Sequence, residues 1–417
     1  PSPRAFMTRS TKYPQHSSQN DRGASLVEYG VVLGLVGLVA TSASHGIGEE
    51  ISNLFDGVAS SVAFASITVS SDTGNPYDPD AFVFEVSTAT GAVFPSAGGT
   101  IEIDWGDETA NSTCTTTYVI NPGSYLTCAY PEAGTYQISI TGDMSGYGHF
   151  SSSAYKSDIT RLLQWGNTGL NDLTNSFYGA VNLADVPGNL PPGVTNLTGS
   201  FQFATTLNDP DISSWDTSNV TSVERMFADA TSFDQDLNGW NVSSVTSFQS
   251  MFNGATAFSP GLPDWDTSSA TSFGSMFRSS TYNGDIAAWD TSSVESMYGM
   301  FYDNGTFNRD ISGWDVSQVQ SFGRMFRNAS SFSQDISGWD VSSATNMLSM
   351  FNSASSFSAD LSAWDVSSVT NMEHMFYMAP GVAADLSGWC VPLMVTPQTA
   401  FSTGSSIVAD PVWGSCP

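Results

Sequence analysis

The side chains best suited to catalysis are few and scattered. Four histidines stand at positions 16, 45, 149 and 374, and no two are spaced for a shared metal or a nucleophile–base pair. No Gly-x-Ser-x-Gly, His-Glu-x-x-His or phosphate-loop pattern occurs. The cysteines Cys114, Cys128, Cys390 and Cys416 fall as two local pairs without the C-x-x-C spacing of zinc or redox sites. Two structural disulfides in an oxidising compartment follow from that pairing; four buried thiols are the alternative. Aspartates, by contrast, recur in step. One row (Asp211, Asp236, Asp285, Asp310, Asp335, Asp360, Asp385) precedes an Ile or Leu, and a second (Asp216, Asp266, Asp290, Asp315, Asp340, Asp365) follows a Trp. Carboxylates stacked this way either accept hydrogen bonds from turn amides and hydroxyls or gather cations. The second row precedes Ser or Thr and a helix-like stretch, which suits N-capping. The expectation is a protein that is not an enzyme and has no cofactor, calcium being the one ion its acids could take.

The elements that carry these rows repeat. Tryptophans fall at 215, 240, 265, 289, 314, 339, 364 and 389, steps of 25 with a single 24, and a Met-Phe pair recurs in register. In the unit beginning at Asp310, Val319, Phe322, Phe326 and Ala329 stand three to four residues apart, predicting a short amphipathic helix. Ile311, Trp314 and Val316 belong to an extended stretch. Neither segment buries its apolar side alone, so coils must stack into a continuous core with parallel strands along one face. Trp314, Phe326, Trp339 and Phe351 are candidate core residues of that stack. The unit from Asp310 to Phe332 resembles the BspA-like leucine-rich repeat, or DUF285 repeat. The resemblance implies a surface protein and a C-terminal cap built from Cys390, Cys416 and Trp413.

At the other end, Arg4, Arg9, Lys12 and Arg22 face one acid, Asp21, ahead of an apolar run from Ala24 that is broken only by Glu28. A lone carboxylate in such a run is costly in hydrocarbon and marks function. Gly23, then Glu28 and Tyr29, resembles the prepilin processing site of Flp or Tad pilins. That resemblance implies cleavage between Gly23 and Ala24, with Glu28 pairing to the new amino terminus of a neighbouring subunit during filament assembly. The apolar stripe through Ile47, Ile51, Leu54, Phe55 and Val58 extends the predicted helix.

Between these regions, alternating strands such as Phe82–Val86, Ile101–Ile103 and Tyr136–Ile140, broken by Gly, Pro, Asn and Asp, predict a small antiparallel sandwich. The stretch Ile103-Asp-Trp-Gly-Asp107, with Tyr130 and Gly134-Thr-Tyr136, resembles a PKD-type domain. Cys114 and Cys128 would tie two of its strands or their loop.

The fold class expected is multidomain: a long N-terminal α-helix, a small antiparallel β-sandwich, and an α/β leucine-rich-repeat-like solenoid of about ten coils of about 25 residues. The divisions are leader 1–23, pilin helix 24–65, PKD-like domain 66–150, solenoid 151–389 and disulfide-bonded cap 390–417. Eleven Lys and Arg against 40 Asp and Glu give a net charge of -29, which repels nucleic acid. The function expected is a structural subunit of an extracellular Tad/Flp-type pilus on a bacterial surface. Its partners would be identical subunits in a helical filament, the prepilin peptidase and secretion machinery, and the inner membrane before assembly. A minor pilin or surface adhesin, binding an unknown surface ligand through the solenoid, is the alternative.

Overall fold

β-branched and aromatic residues alternating with polar ones build the sheet that starts the described chain. The computed structural model describes residues 78–88, 92–95, 99–106, 117–120, 125–128, 130, 132–144 and 153–416, all within a unit spanning Asn75–Pro417. The expected leader and pilin helix fall outside those residues. Strands β1 (Phe82–Thr88), β3 (Gly99–Asp104), β4 (Thr117–Ile120), β6 (Gly134–Gly142) and β7 (Ile159–Gln164) form a five-stranded sheet in the order β4-β3-β6-β1-β7. Each neighbouring pair runs antiparallel. Strands β2 (Ala92–Pro95) and β5 (Tyr125–Cys128) form a separate two-stranded ribbon. The expected sandwich is thus one sheet and a ribbon. Its core of Phe82, Phe84, Ile101, Ile103, Ile138 and Ile140 merges with that of the repeats in a single apolar cluster.

Strand β7 makes the junction. One edge pairs with β1, and the other meets the first coil through a parallel bridge between Arg161 and Asp185. Leu162 N–H donates to Asp185 O at 2.9 Å and Ala184 N–H to Thr160 O at 2.9 Å. The sheet therefore closes the N-terminal end of the stack, supplying hydrogen-bond partners that a first coil would otherwise lack.

The repeats correct the expected fold class. Among the described residues there is no α-helix; the helical segments are 3-10 turns at Ser153–Asp158 and Pro210–Ser214. The segment read as an amphipathic helix is a chain of four-residue turns. In one coil, Met325 N–H donates to Phe322 O at 3.0 Å and Ala329 N–H to Phe326 O at 3.0 Å. The third residues of those two turns, Arg324 and Asn328, have φ of 60° and 59°, the backbone of type II turns. Every non-glycine residue with positive φ in the described chain occupies one of these two coil positions, from Asn175 to Ala400. A helix cannot hold a left-handed residue every fourth position.

The intervening amides point along the stack. Phe322, Arg324, Phe326 and Asn328 donate to the carbonyls of Asn346, Leu348, Met350 and Asn352 in the next coil at 2.7–2.9 Å. The inter-coil ladder therefore runs along the segment expected to be helical, and its β character is reduced to isolated parallel bridges such as Ser321–Asn346 and Asn346–Asn371. The misreading has a simple cause. Turns repeating every four residues and a helix of 3.6 residues per turn both bury positions three and four apart.

Stacking places like residues over like. Phe301, Phe326, Phe351 and Phe376 form a ladder with ring centroids 5.7–5.8 Å apart and planes within 9° of parallel. Trp314 and Trp339 are buried, as are Phe326 and Phe351. Each indole from Trp240 to Trp389 donates its Nε1–H to an Ile or Leu carbonyl of the preceding coil at 2.8–3.3 Å. This satisfies the one polar atom that a buried Trp brings into a core. At the C-terminal end a disulfide joins Cys390 to Cys416, and Phe401 meets Trp413 edge-on at 5.2 Å.

Candidate functional site

The aspartate rows are turn formers. Asp310, Asp335, Asp360 and Asp385 each accept through Oδ1 from the amide two residues on, at 2.9–3.0 Å. Asp266, Asp290 and Asp340 do the same at 3.0–3.1 Å and also take the hydroxyl of Ser268, Ser292 or Ser342. These are Asx turns. The second row thus caps turns, where helix N-caps were expected. Hydrogen bonds from the serine side chain and then its amide hold the carboxyls of Asp216, Asp266, Asp290 and Asp340 below the usual range. Among the described residues, no group of three or more acids, His or Cys is placed to hold a metal ion.

The outward face of the turn ladder carries different chemistry. Each stacked Phe is followed by one residue that varies down the array: Ala228, Asn253, Arg278, Tyr302, Arg327, Asn352 and Tyr377, of which Ala228 and Asn352 are buried, Arg278 is exposed and the others are partly exposed. Stacking makes Arg278, Tyr302 and Arg327 neighbours on three consecutive coils. The Arg278 guanidinium lies 4.7 Å from the Tyr302 ring centroid and that of Arg327 lies 5.2 Å from the same centroid. Beside them, Arg324 lies over Tyr298 at 5.7 Å. Cation–π attraction preorganises these side chains. Among the described residues the one ion pair joins Arg161 to Asp185, so none of these three arginines is paired with an acid. Nor has the Nε of Arg324 or Arg327 a hydrogen-bond partner.

Polar groups also lie in the core. Tyr282 takes the place of a Phe in the second aromatic ladder, stacking on Phe258 at 5.7 Å. Its hydroxyl is buried without a hydrogen-bond partner, and burial raises its pKa. Gly284 makes room for it, since a Cβ there would sit 2.6 Å from the Tyr282 oxygen. In the next coil Asn304 replaces the usual Ala and is fully satisfied, donating to Tyr282 O at 2.9 Å and accepting from Phe307 N–H at 3.0 Å. At the sheet junction, Lys156 is buried, donates to Asn175 O, and has its pKa lowered by desolvation to about 7.

In the sheet, the motif residues from Ile103 to Tyr136 meet. Tyr130 donates its hydroxyl to Trp105 O at 2.9 Å and stacks on Tyr136 with centroids 3.6 Å apart. Gly106 has φ of 67°, and a Cβ there would strike Gln137 O. The processing and assembly residues Gly23, Ala24, Glu28 and Tyr29 lie outside the described residues. So do Cys114 and the side chain of Cys128.

The family described as "Mycoplasma protein of unknown function, DUF285" matches residues 171–281, 261–347 and 314–410, together more than half of the chain. The chain belongs to the DUF285 family. The matched span covers the turn-ladder array, so the stacked coils, the aspartate turns and the Arg–Tyr cluster are all features of the DUF285 region. A search of curated proteins finds no match to the chain. Among the described residues no helix is long and apolar enough to cross a membrane.

Sequence reasoning placed the Trp and Phe core and gave the aspartates structural hydrogen bonds, the second row at helix N-caps that are in fact turns, but it missed the Arg–Tyr cluster. The signal was present: Arg278, Tyr302 and Arg327 each follow a ladder Phe, and aligning the coils would have set them in one column.

Proposed function

We propose that this chain is an exported surface protein that acts by binding, its solenoid presenting the outward column of the turn ladder to an extracellular partner. One observation carries the reading. The inward column repeats Phe from coil to coil, whereas the adjoining column changes from Ala to Asn, Arg, Tyr, Arg, Asn and Tyr, and all of these but Ala228 and Asn352 reach the surface. A scaffold that repeats its core while varying its face is how solenoids build extended recognition surfaces. Membership in DUF285 supports a surface protein, and the acidic charge and the Cys390–Cys416 disulfide support an oxidising, extracellular setting. The acidity also argues against nucleic acid as a partner.

A second reading rests on the sequence Arg22-Gly23 with Glu28-Tyr29. It makes the chain a pilin subunit cut after Gly23 by a prepilin peptidase and held in the inner membrane before secretion. There it would assemble with identical subunits, the PKD-like sheet and the array standing outward from the filament. One experiment tests both readings. Intact cells are treated with protease and surface biotin, sheared filaments are collected, and the N-terminus of the chain is sequenced in each fraction. Labelling and cleavage on intact cells support surface presentation, and full protection defeats it. An N-terminus at Ala24 in the filament fraction supports the pilin reading, whereas absence of the chain from that fraction rejects it.

A further inference from the structure

We propose that Arg278, Tyr302 and Arg327, with Arg324 on Tyr298, form a binding site for an extended acidic polysaccharide bearing carboxylates or sulfates. The inference rests on the surface-recognition reading and names the ligand class for that face. Among 11 basic residues in a chain with 40 acids, three arginines on coils two apart converge on the tyrosines of the coil between them without an ion pair. Asp229 is close enough to sense the charge of Arg278, yet no ion pair joins them. Asp303, within the patch, is engaged by the side-chain amide of Asn328 at 2.6 Å. Clustering three cations and desolvating the unpartnered Nε atoms of Arg324 and Arg327 both cost stability, as expected where a surface is shaped for a ligand.

The arrangement specifies the ligand. Guanidinium forks recognise carboxylate and sulfate through paired hydrogen bonds, and the tyrosine rings hold them in place without neutralising them. Arg278 and Arg327 lie two coils apart, about 9.5 Å at the ordinary spacing of stacked strands. One Tyr302 ring stands between them, so the site offers two anion positions along the stack instead of one deep pocket. Alongside, Ser279, Asp303 and Asn328 follow one another on the three coils, and Asn328 holds the Asp303 carboxylate by its side-chain amide, leaving the Ser279 hydroxyl to meet a sugar hydroxyl. Protein partners also use Tyr and Arg, but set them within a packed and fully desolvated surround. Every large hydrophobic side chain that is exposed among the described residues lies at Met378 or later, away from these coils. Anions spaced along a hydroxyl-rich polymer fit the face, provided the local arginines offset the repulsion that a net charge of -29 exerts on any polyanion.

The test uses the full chain, immobilised and titrated with polygalacturonate, chondroitin sulfate and uncharged dextran. Binding to at least one acidic polymer, weakening with salt, and none to dextran is expected. The variant R278Q/R327Q should lose about tenfold or more in affinity with a melting temperature no lower than that of the wild type. R309Q, whose arginine lies outside the cluster and donates to Asn283 O, should bind as the wild type does. Which acidic polymer binds distinguishes carboxylate from sulfate. Failure of both polymers to bind, equal binding by R278Q/R327Q, or equal retention of dextran overturns the site. So does Arg-dependent association seen only between copies of the chain in sedimentation velocity. A chain that adheres to a target surface with R278Q/R327Q unaffected would sink this site while leaving surface recognition standing.

Discussion

Tyr282 shows how a single oxygen changes the energetics of a ladder. In the adjoining coils, Phe258 and Phe307 fill the same aromatic column with no polar atom. Tyr282 keeps the stacking, lying nearly parallel to Phe277 at 3.8 Å, but desolvates a hydroxyl that finds no partner. An unsatisfied buried hydroxyl costs about 1–3 kcal/mol. Tyr282→Phe should therefore stabilise the array by roughly that amount, less the small void left beside Gly284. Thermal unfolding followed by near-ultraviolet circular dichroism checks the sign, and a lower melting temperature would show that the hydroxyl is in contact with something that stabilises it. Asn304 makes the opposite case. It too is buried in place of an apolar residue, yet both ends of its amide are engaged, and no such gain is expected from replacing it.

At the scale of one coil, the phase of the repeat was legible because large aromatics mark it. Trp314 and Phe326 recur every 25 residues and are buried where their spacing put them. What the spacing could not separate was helix from turn, because both bury the same side of Val319, Phe322, Phe326 and Ala329. The discriminating signal lay in the small polar residues. Ser275, Ser279, Asp303, Asn328, Ser349 and Ser353 occupy left-handed positions that a helix does not contain, and Ser, Asp and Asn tolerate such backbones better than branched residues do. This yields a test whose sign differs between the two readings. Ser279 is exposed with φ of 52°. Relieving its Cβ strain through Ser279→Gly should stabilise the coil by about 1 kcal/mol. In a helix the same change would destabilise by roughly 0.5–1 kcal/mol. Chemical denaturation of the two proteins decides between them. The Arg–Tyr cluster is hidden for a different reason: Arg278, Tyr302 and Arg327 stand 24 to 49 residues apart in sequence and align only once the coils are set in register.

Across the whole molecule, a stack is as secure as its ends. At the N-terminal side, strand β7 shares its hydrogen bonds between the sheet and the first coil, and one apolar cluster runs from Phe82 to Phe401. The C-terminal side has no sheet. Its last residues leave Leu393, Val395, Val408 and Val412 exposed, and the covalent tie between Cys390 and Cys416 closes a segment with a sequence separation of 26. A loop of that size gains roughly 3–4 kcal/mol from crosslinking in the chain-entropy account. Because coils contact only their neighbours, losing that tie should act locally and then propagate inward. Reduction, or Cys416→Ala, is therefore expected to raise hydrogen exchange first in the coil around Trp389 and least around Leu162 and Phe177. Uniform loss of protection along the array would instead mean that it unfolds as one unit, making the disulfide a global staple. Loss confined to residues beyond 390 would show that the Trp389 coil is already secured by its tilted ring contact with Phe376 and its indole bond to Leu361 O.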